Sequence, residues 1–488
     1  MKKENLNEDS KEVRIDKIQT LIDAGCRAYQ DRYECTHHIR ELKVLDEGTP
    51  AFMAGRVLSI RKFGKLIFVT IGNALERGQI SLKKNDLGEE SFNLFLNAVD
   101  LGDFIGISGQ RYTTQKGEPT LAVKKWVFLS KSLRPLPDKY RGLHDSEARL
   151  KQRYLLTSTD IDVANIYVKR AKLKQVLRSF LEEHGFMEVD TPAIQMQKSG
   201  ALARSFKTYH NALNIEAELR IAPETYLKRA LVGGFEKVYE IATCFRNEGM
   251  SLSHWPEFHM LEFYAAYWNF EDLIIFTEKM LKHVVDIVVG SKQFTYQEQA
   301  IDFSGHWPRI SFRELLIEKA DLDIHVFTTT EELREEVLRK HLLNAESISN
   351  LGRGSIIDEL YKKVARPSII NPTFLVAHPK DLSPLARTND EDESIVDRFQ
   401  LVINGWEVVN AYSELADPIE QRKRFEIQAA AAQEGDEDAL EIDEDFLLAL
   451  EHGMPPAAGW GMGIERILAL LTDSPNIKDT IMFPIHRR

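Results

Sequence analysis

The chain has 488 residues, 43% of them hydrophobic and 28% charged, with a formal net charge of −12. That length holds two or three domains around a sizeable core, and the acidic balance weighs against a general nucleic-acid coat protein, although local basic patches can still meet phosphates. No apolar run approaches the ~20 residues that cross a bilayer, and the polar start MKKENLNEDSKEVRIDK does not read as a signal peptide.

Cys26, Cys35 and Cys244 form no Cys-x-x-Cys pair, so reduced thiols in a cytoplasmic protein are expected. Residues 1–50 read as a helical lead-in, with Ile15, Ile18, Leu21 and Ile22 at helical spacing. From 51 to 135 the texture changes to short strand-like runs: AFMAGRVLSI, LIFVTIG, GQISL, DFIGISGQRY and TLAVKKWVFL. Such runs suit a small barrel. The OB-fold is one, with an open face for single-stranded nucleic acid, but sugar or protein ligands suit it equally. SLRPLPDKYRGLHD, with Pro135 and Pro137, reads as linker, and 136–160 is assigned to it.

The remainder, 161–488, alternates helices with strand-like runs. Leu173, Val176, Leu177, Phe180 and Leu181 mark an amphipathic helix over 163–184, stopped by His184-Gly185. Its basic run, Lys169, Arg170, Lys172, Lys174 and Arg178, is either a solvated face or a phosphate-binding patch. A helical, charged insertion is expected over about 312–366, and an acidic surface loop over 433–445.

Three segments gather reactive residue types at strand spacing. In KVYEIATCFRNEG (237–249), alternation puts Val238, Glu240, Ala242, Cys244 and Arg246 on one face. An arginine at a strand end can grip a phosphate or carboxylate bidentately; a structural pair with Glu240 or Glu248 is the other reading. In PEFHMLEFYAAYW (256–268), Phe258, Met260, Glu262 and Tyr264 share a face. That face either stacks a base and holds a cation or belongs to a sheet core, with an arginine on Glu262. In GWEVVNAYSEL (405–415), Asn410, Tyr412 and Glu414 form a row that is costly to bury without polar partners. Joined with Glu262 and Tyr264, it describes a pocket with two negative charges, and the complementary ligand is an ammonium group. AAGWGMGIERILALL (457–471) reads as a Gly-rich loop before a helix with Arg466 in its first turn, a place that attracts anions. It matches neither a Rossmann fingerprint nor a P-loop.

In their order and separations these segments resemble the motifs of class II aminoacyl-tRNA synthetases. GFMEVDTPAI (185–194) resembles motif 1, FRNEG with HWPEFHMLE (245–262) motif 2, and GWGMGIER (459–466) motif 3. RIAPETYLKRALVGGFEKVYEI, NAYSELADP and LEHGMPPAAGWGMGIER are similar to the lysyl branch, as is LAVKKWVFLSKSLRPLPDKYRGLHDSEARLKQRYL across the domain junction. The resemblance implies an α+β protein: an N-terminal OB-fold β-barrel for the anticodon (51–135), then a class II antiparallel sheet flanked by helices (161–488). It implies a ligase that uses ATP, L-lysine and Mg2+ to charge tRNA(Lys), and a homodimer through motif 1 and its Pro192.

The same resemblance assigns roles. Arg246 would hold the lysine carboxylate and the α-phosphate, and Gly200 and Glu224 the α-amino group. Glu262, Tyr264, Asn410, Tyr412 and Glu414 would line the side-chain pocket. Phe258 would stack on adenine, Glu248 and His254 would contact ATP, and Arg466 would clamp the γ-phosphate. Glu407 would be a metal ligand and a contact of ATP. Arg61, Phe68 and Glu118 match positions facing anticodon bases. The implied reaction is a two-step acyl transfer without a covalent enzyme intermediate, driven by positioning and charge neutralisation.

The chain departs from the family pattern at four places. Ser253 stands where an arginine is usual and Trp255 where asparagine is; Gln400 replaces a metal-binding glutamate; Ser81 falls where a glutamine often reads the anticodon. Strict alternation would also put Glu407 opposite to Asn410 unless a bulge intervenes. Two alternatives follow: a catalytically altered relative that binds tRNA or regulates, motivated by Ser253 and Gln400, and a ligase loading another acceptor, which the intact barrel opposes.

Overall fold

The computed structural model describes residues 10–137, 146–201, 203–349, 351–433 and 442–486. They form two units, one of Met1–Val168 with Met482–Arg488 and one of Lys169–Ile481.

The first unit opens with helix α1 (Lys11–Asp23), capped by the Ser10 hydroxyl, which accepts from Val13 N at 3.3 Å. Its apolar spacing misleads at two positions. Leu21 is buried and Ile18 packs beside it, but Ile15 and Ile22 are exposed, and buried Arg14 takes the inward place by donating to Leu101 O and Ser132 O at 3.0 and 2.8 Å. Strands β1 (Pro50–Phe63), β2 (Leu66–Gly72), β3 (Arg77–Lys83), β4 (Phe104–Thr113) and β5 (Pro119–Ser130) close into a barrel of order β1-β2-β3-β5-β4, the OB architecture. Helices α2 (Lys84–Leu87) and α3 (Glu89–Ala98) connect β3 to β4. Alternation fills the barrel with Met53, Val57, Ile67, Val69, Ile71, Ile80, Leu82, Ile105 and Ile107. Within the stretch read as linker, α4 (Ser146–Lys151) and α5 (Arg153–Thr159) form, with Arg153 and Leu156 buried; 138–145 lie outside the described residues.

The division between units falls inside α6 (Ile161–Glu183). All of the apolar residues that marked this helix are buried. After it come β6 (Met187–Glu188), β7 (Ile194–Gln195), β8 (Phe206–His210), β9 (Ile215–Leu219), α7 (Glu224–Val232), β10 (Lys237–Phe245), β11 (Glu257–Ala266) and α8 (Phe270–Val289). A hairpin, β12 (Gln293–Tyr296) with β13 (Gln299–Asp302), leads to β14 (Arg309–Ser311). Helices α9 (Phe312–Ala320), α10 (Thr330–Arg339), α11 (Ala345–Ile348) and α12 (Arg353–Leu360) then pack around a core of their own that includes Leu316, Leu333 and Ile356. The chain returns through β15 (Thr373–Pro379), β16 (Ile395–Ile403), β17 (Trp406–Ser413), α13 (Pro418–Gln433), α14 (Glu444–Glu451), β18 (Ala457–Gly463) and α15 (Ile464–Leu471). Most of the predicted acidic loop lies outside the described residues.

One eight-stranded sheet, β14-β15-β16-β17-β18-β11-β10-β6, organises this unit, antiparallel except at its two end pairs. One face carries the main core. There α8 and α15 pack their apolar stripes on Phe263, Ala411 and Trp460, and Trp460 Nε1 donates to Thr277 Oγ1 at 2.8 Å. Phe263 and Trp460 stack at 4.8 Å between ring centroids. The other face holds the site.

Candidate active site

The cross-strand register sets the site's side chains in rows. Val238, Tyr264, Gly459, Tyr412 and Arg398 lie side by side across β10, β11, β18, β17 and β16. The next row is Glu240, Glu262, Gly461, Asn410 and Gln400. The segment 457–463, which the sequence reads as a loop, is strand β18, the floor between β11 and β17. Its G-W-G-M-G alternates with period two: Trp460 and Met462 enter the core, while Gly459, Gly461 and Gly463 line the cavity. Glycine masks the alternation because it also signals turns. At Gly459 a Cβ would overlap Glu414 Oε1 and the Tyr264 ring, so the floor can approach both only without a side chain.

A cavity of about 310 Å³ opens above these rows. Twelve of the thirteen residues that the sequence assigned to lysine or ATP line it: Gly200, Glu224, Arg246, Glu248, His254, Phe258, Glu262, Tyr264, Glu407, Asn410, Tyr412 and Arg466. Glu414 is not among the lining residues; its carboxylate is buried against the cavity side of Gly459, beside the Tyr264 ring, and ion-paired to Lys228. Ser253 and Trp255 also face the cavity, as does Arg398, which sequence reasoning passed over. Arg398 donates to Asn410 Oδ1 at 2.8 Å, to Ser383 Oγ at 2.7 Å and to Leu382 O at 2.9 Å, fixing the amide.

At one end of the cavity carboxylates dominate. Tyr264 donates to Glu262 Oε2 at 3.0 Å, and Tyr412 donates to Glu224 Oε1 at 2.6 Å. Lys228, one turn after Glu224 on α7, donates to the same Glu224 oxygen at 2.6 Å. Burial, then the charge of Glu224, holds the Glu262 carboxyl well above the usual range, with Tyr264, Arg246 and Lys228 pulling it back. Burial pushes Glu414 up to about 8 against the opposing pull of Lys228. Burial also works against the Lys228 charge, yet Glu224 and Glu414 more than offset it and raise its pKa. Gly200, in the left-handed region at φ +87°, lets the 200 loop pass against Glu224, where a Cβ would come within 2.9 Å of the Glu224 Cβ.

The other end is cationic. Arg246 stands over the Phe258 ring, its Cζ 5.1 Å from the centroid, and Nε donates to Ile221 O at 3.3 Å. The pairing of Arg246 with Glu240 considered from sequence does not form, because Arg220 takes Glu240 at 2.7 Å. Arg466 donates to Glu407 O at 2.9 Å and Ser253 O at 3.2 Å, and its Nη2 lies 3.0 Å from His254 Nε2. Ser253 thus serves Arg466 through its backbone. Partial burial of the ring and then the Arg466 guanidinium push His254 down to about 4, so it stays neutral and can accept from arginine.

A β-bulge resolves the placement of Glu407. Leu401 pairs with Val409 but Val402 pairs with Glu407, so Val408 is the extra residue, and Glu407 joins Asn410 in the cavity. Glu407 Oε2 accepts from Gln400 Nε2 at 2.6 Å, and Tyr361 donates to Gln400 Oε1 at 3.0 Å. Gln400 therefore turns its N–H groups, not its oxygen, toward Glu407. Among the described residues no group of three or more His, Cys, Asp and Glu side chains could hold a metal. One carboxylate that shares a cation with substrate phosphates still fits Mg2+, which binds that way in nucleotide sites.

In the barrel, Arg61, Phe68 and Ser81 are cross-strand partners on the outward face of β1, β2 and β3. Arg61 donates to Gln79 Oε1 at 2.6 Å, Tyr112 donates to Ser81 at 3.1 Å, and Phe63 meets Phe68 edge-on at 6.1 Å. Glu118 lies apart from this row, exposed in the β4–β5 turn.

A family model described as tRNA synthetases class II (D, K and N) matches residues 145–487, which sets the class. Within it, the chain is 43% identical over 99% of its length to the lysine–tRNA ligase of Pelotomaculum thermopropionicum, of which 96% is covered. It is 44% identical over 89% of its length to that of Aquifex aeolicus (72% covered), and 40% identical over 98% to that of Staphylococcus haemolyticus (99% covered). The chain belongs to the lysine–tRNA ligase family of class II tRNA synthetases.

Proposed function

We propose that the cavity activates L-lysine with ATP and that the chain then transfers the lysyl group to the 3′ end of tRNA(Lys). The observation that carries this reading is Glu262: a buried carboxylate on the cavity floor, with a tyrosine hydroxyl as donor, at the end where Glu224 also faces in. An ammonium group supplies the missing charge. The kinship over nearly the whole chain agrees with it.

In this reading the lysine α-ammonium meets Glu224 and the Gly200 loop, and the ε-ammonium meets Glu262 and Tyr264. Asn410 and Tyr412 border the side chain, and Glu414 supports it from its buried place over Gly459. Arg246 holds the lysine carboxylate beside the α-phosphate, in line for attack. Phe258 offers its free face to adenine, Glu248 and His254 contact the nucleotide, and Arg466 receives the γ-phosphate. Mg2+ carried by ATP, with Glu407 as its protein ligand, would neutralise phosphate charge. The carboxylate oxygen displaces pyrophosphate; a terminal ribose hydroxyl then takes the acyl group and AMP leaves. Catalysis is positioning and charge compensation. Cys244, pushed up to about 12 by burial, stays a thiol and takes no part.

The barrel face with Arg61, Phe68 and Ser81 is proposed to bind the anticodon, with Glu118 at its margin. Exposed Met187, Ile194 and Met196 around motif 1 support a homodimer through that region, with cytoplasmic localisation. None of the described helices is long and apolar enough to cross a membrane.

Lysine-dependent ATP–pyrophosphate exchange tests activation, with arginine, ornithine and aspartate as controls and Glu262→Gln beside the parent. Exchange with lysine alone, lost in Glu262→Gln, is expected. Absence of exchange with every amino acid in folded protein would favour the catalytically altered relative.

A further inference from the structure

Lys228 is a fully buried ammonium that does not face the cavity, yet it touches two of the three carboxylates that surround the amino-acid end. It donates to Glu224 Oε1 at 2.6 Å and is ion-paired to Glu414. The other polar and charged neighbours come from three directions: Tyr412, with Glu414 just beyond β17, and Glu262 with Tyr264 from β11, while Arg246 faces Glu262 from the phosphate side. The rings of Tyr412 and Phe446 enclose the Nζ at 5.6 and 5.7 Å. Glu414 Oε1 accepts no hydrogen bond and lies against Gly459 on the cavity floor.

We propose that Lys228 sets the charge of the amino-acid pocket: it satisfies one of three buried carboxylates and leaves two, fitting the pocket to a substrate with two ammonium groups. This rests on the reading of the cavity as the lysine site. The arithmetic is simple. Glu224, Glu262 and Glu414 carry three negative charges when ionised, Lys228 carries one positive charge, and the lysine carboxylate is met separately by Arg246. Two ammonium groups make the cluster neutral, which a dry site requires. Before lysine arrives, burial favours the protonated forms of Glu262 and Glu414, whose carboxyls are raised. Lys228 is therefore a positioning residue. Without its charge the cluster carries one negative charge more than the two ammonium groups of lysine can balance, and lysine binding must be accompanied by retention of a proton.

The test is calorimetric titration of lysine, and separately of ATP, into the full chain at about pH 7 and pH 9, for the parent, Lys228→Gln and Lys228→Arg. Comparing variant with parent at each pH cancels titration of the amino acid itself. Lys228→Gln is expected to weaken lysine about tenfold or more at pH 7, since each unit added to a carboxyl pKa costs a factor of ten in its ionised form. Most of that loss returns at pH 9, ATP binding is unchanged, and Lys228→Arg restores the parental pH dependence. A loss equal at both pH values, a loss shared with ATP, or no loss overturns the proposal. If Lys228→Gln does not fold, Lys228→Arg decides: parental pH dependence supports the proposal and a displaced one overturns it. A parent that fails to bind lysine overturns the pocket reading instead.

Discussion

Glu262, Gly459 and Glu414 lie where β11, β18 and the end of β17 converge; the first two each make a single-residue prediction, and Glu262 and Glu414 together make one about pH. Glu262→Gln keeps the volume and removes the charge. Losing one partner of a buried charge pair costs about 2–5 kcal/mol, so kcat/KM for lysine should fall by roughly two orders of magnitude or more while KM for ATP stays put. Gly459→Ala puts a methyl group into Glu414 Oε1 and the Tyr264 ring. Circular dichroism should show a folded protein, and exchange kinetics a loss of lysine activation. The pH prediction follows from the direction of the carboxyl shifts. Glu262 and Glu414 have folded pKa values above their unfolded ones, so the stability they contribute is present at low pH and is lost as pH rises through the raised values, about 8 for Glu414. Thermal melts of ligand-free protein should therefore drop between pH 7 and 9. Saturating lysine should shrink the drop, because ammonium groups replace the protons; an equal drop with and without lysine would contradict it.

Helix α8 shows how an element can matter to the fold and not to the chemistry. Asn269 caps it by accepting from Glu271 N at 3.0 Å and Asp272 N at 3.1 Å, and Asp272 answers to Asn269 N at 3.0 Å. Asn269→Ala should cost about 1 kcal/mol, seen as a lower melting temperature with both KM values intact. How far elements were readable in sequence depended on what encoded them. The faces of β11 and the barrel strands follow from alternation of large side chains, and Phe258, Met260, Glu262 and Tyr264 land together as that rule requires. β18 hid because its cavity-facing residues are all glycine. Glu407 reached the cavity only through the bulge at Val408, which local sequence does not announce. Glu414 keeps the face that alternation gave it but is buried over Gly459 and paired to Lys228, so it does not line the open cavity. Arg246 lost Glu240, one of its two candidate sequence partners, to Arg220, a residue brought in from β9's end by tertiary packing. Pairings between distant segments are invisible to a periodicity, and Lys228 is the clearest case: nothing in its own neighbourhood tells that Glu414 waits for it.

At the scale of the molecule, the proposed function divides the labour between the two units. Phe68→Ala and Arg61→Ala alter only the barrel face. Lysine-dependent exchange should stay at the parental level, while aminoacylation loses tRNA affinity, by about 1–3 kcal/mol for the stacking ring; a fall in exchange would contradict the division. Sedimentation should give the proposed dimer, weakened by Ile194→Glu, since Met187 and Ile194 in motif 1 and Met196 just after it are exposed. The order of strands in the large sheet carries a consequence for how the protein comes into being. β18 lies between β17 and β11, yet it follows both in the chain. During synthesis the sheet must wait as two halves, β14-β15-β16-β17 and β11-β10-β6, each with an open edge and neither with a pocket. Those edges are templates for pairing with the wrong chain. The ribosome thus holds an aggregation-prone, ligand-blind intermediate until Ala457–Gly463 emerges, and a chain halted just before Ala457 should be found in inclusion bodies or on chaperones.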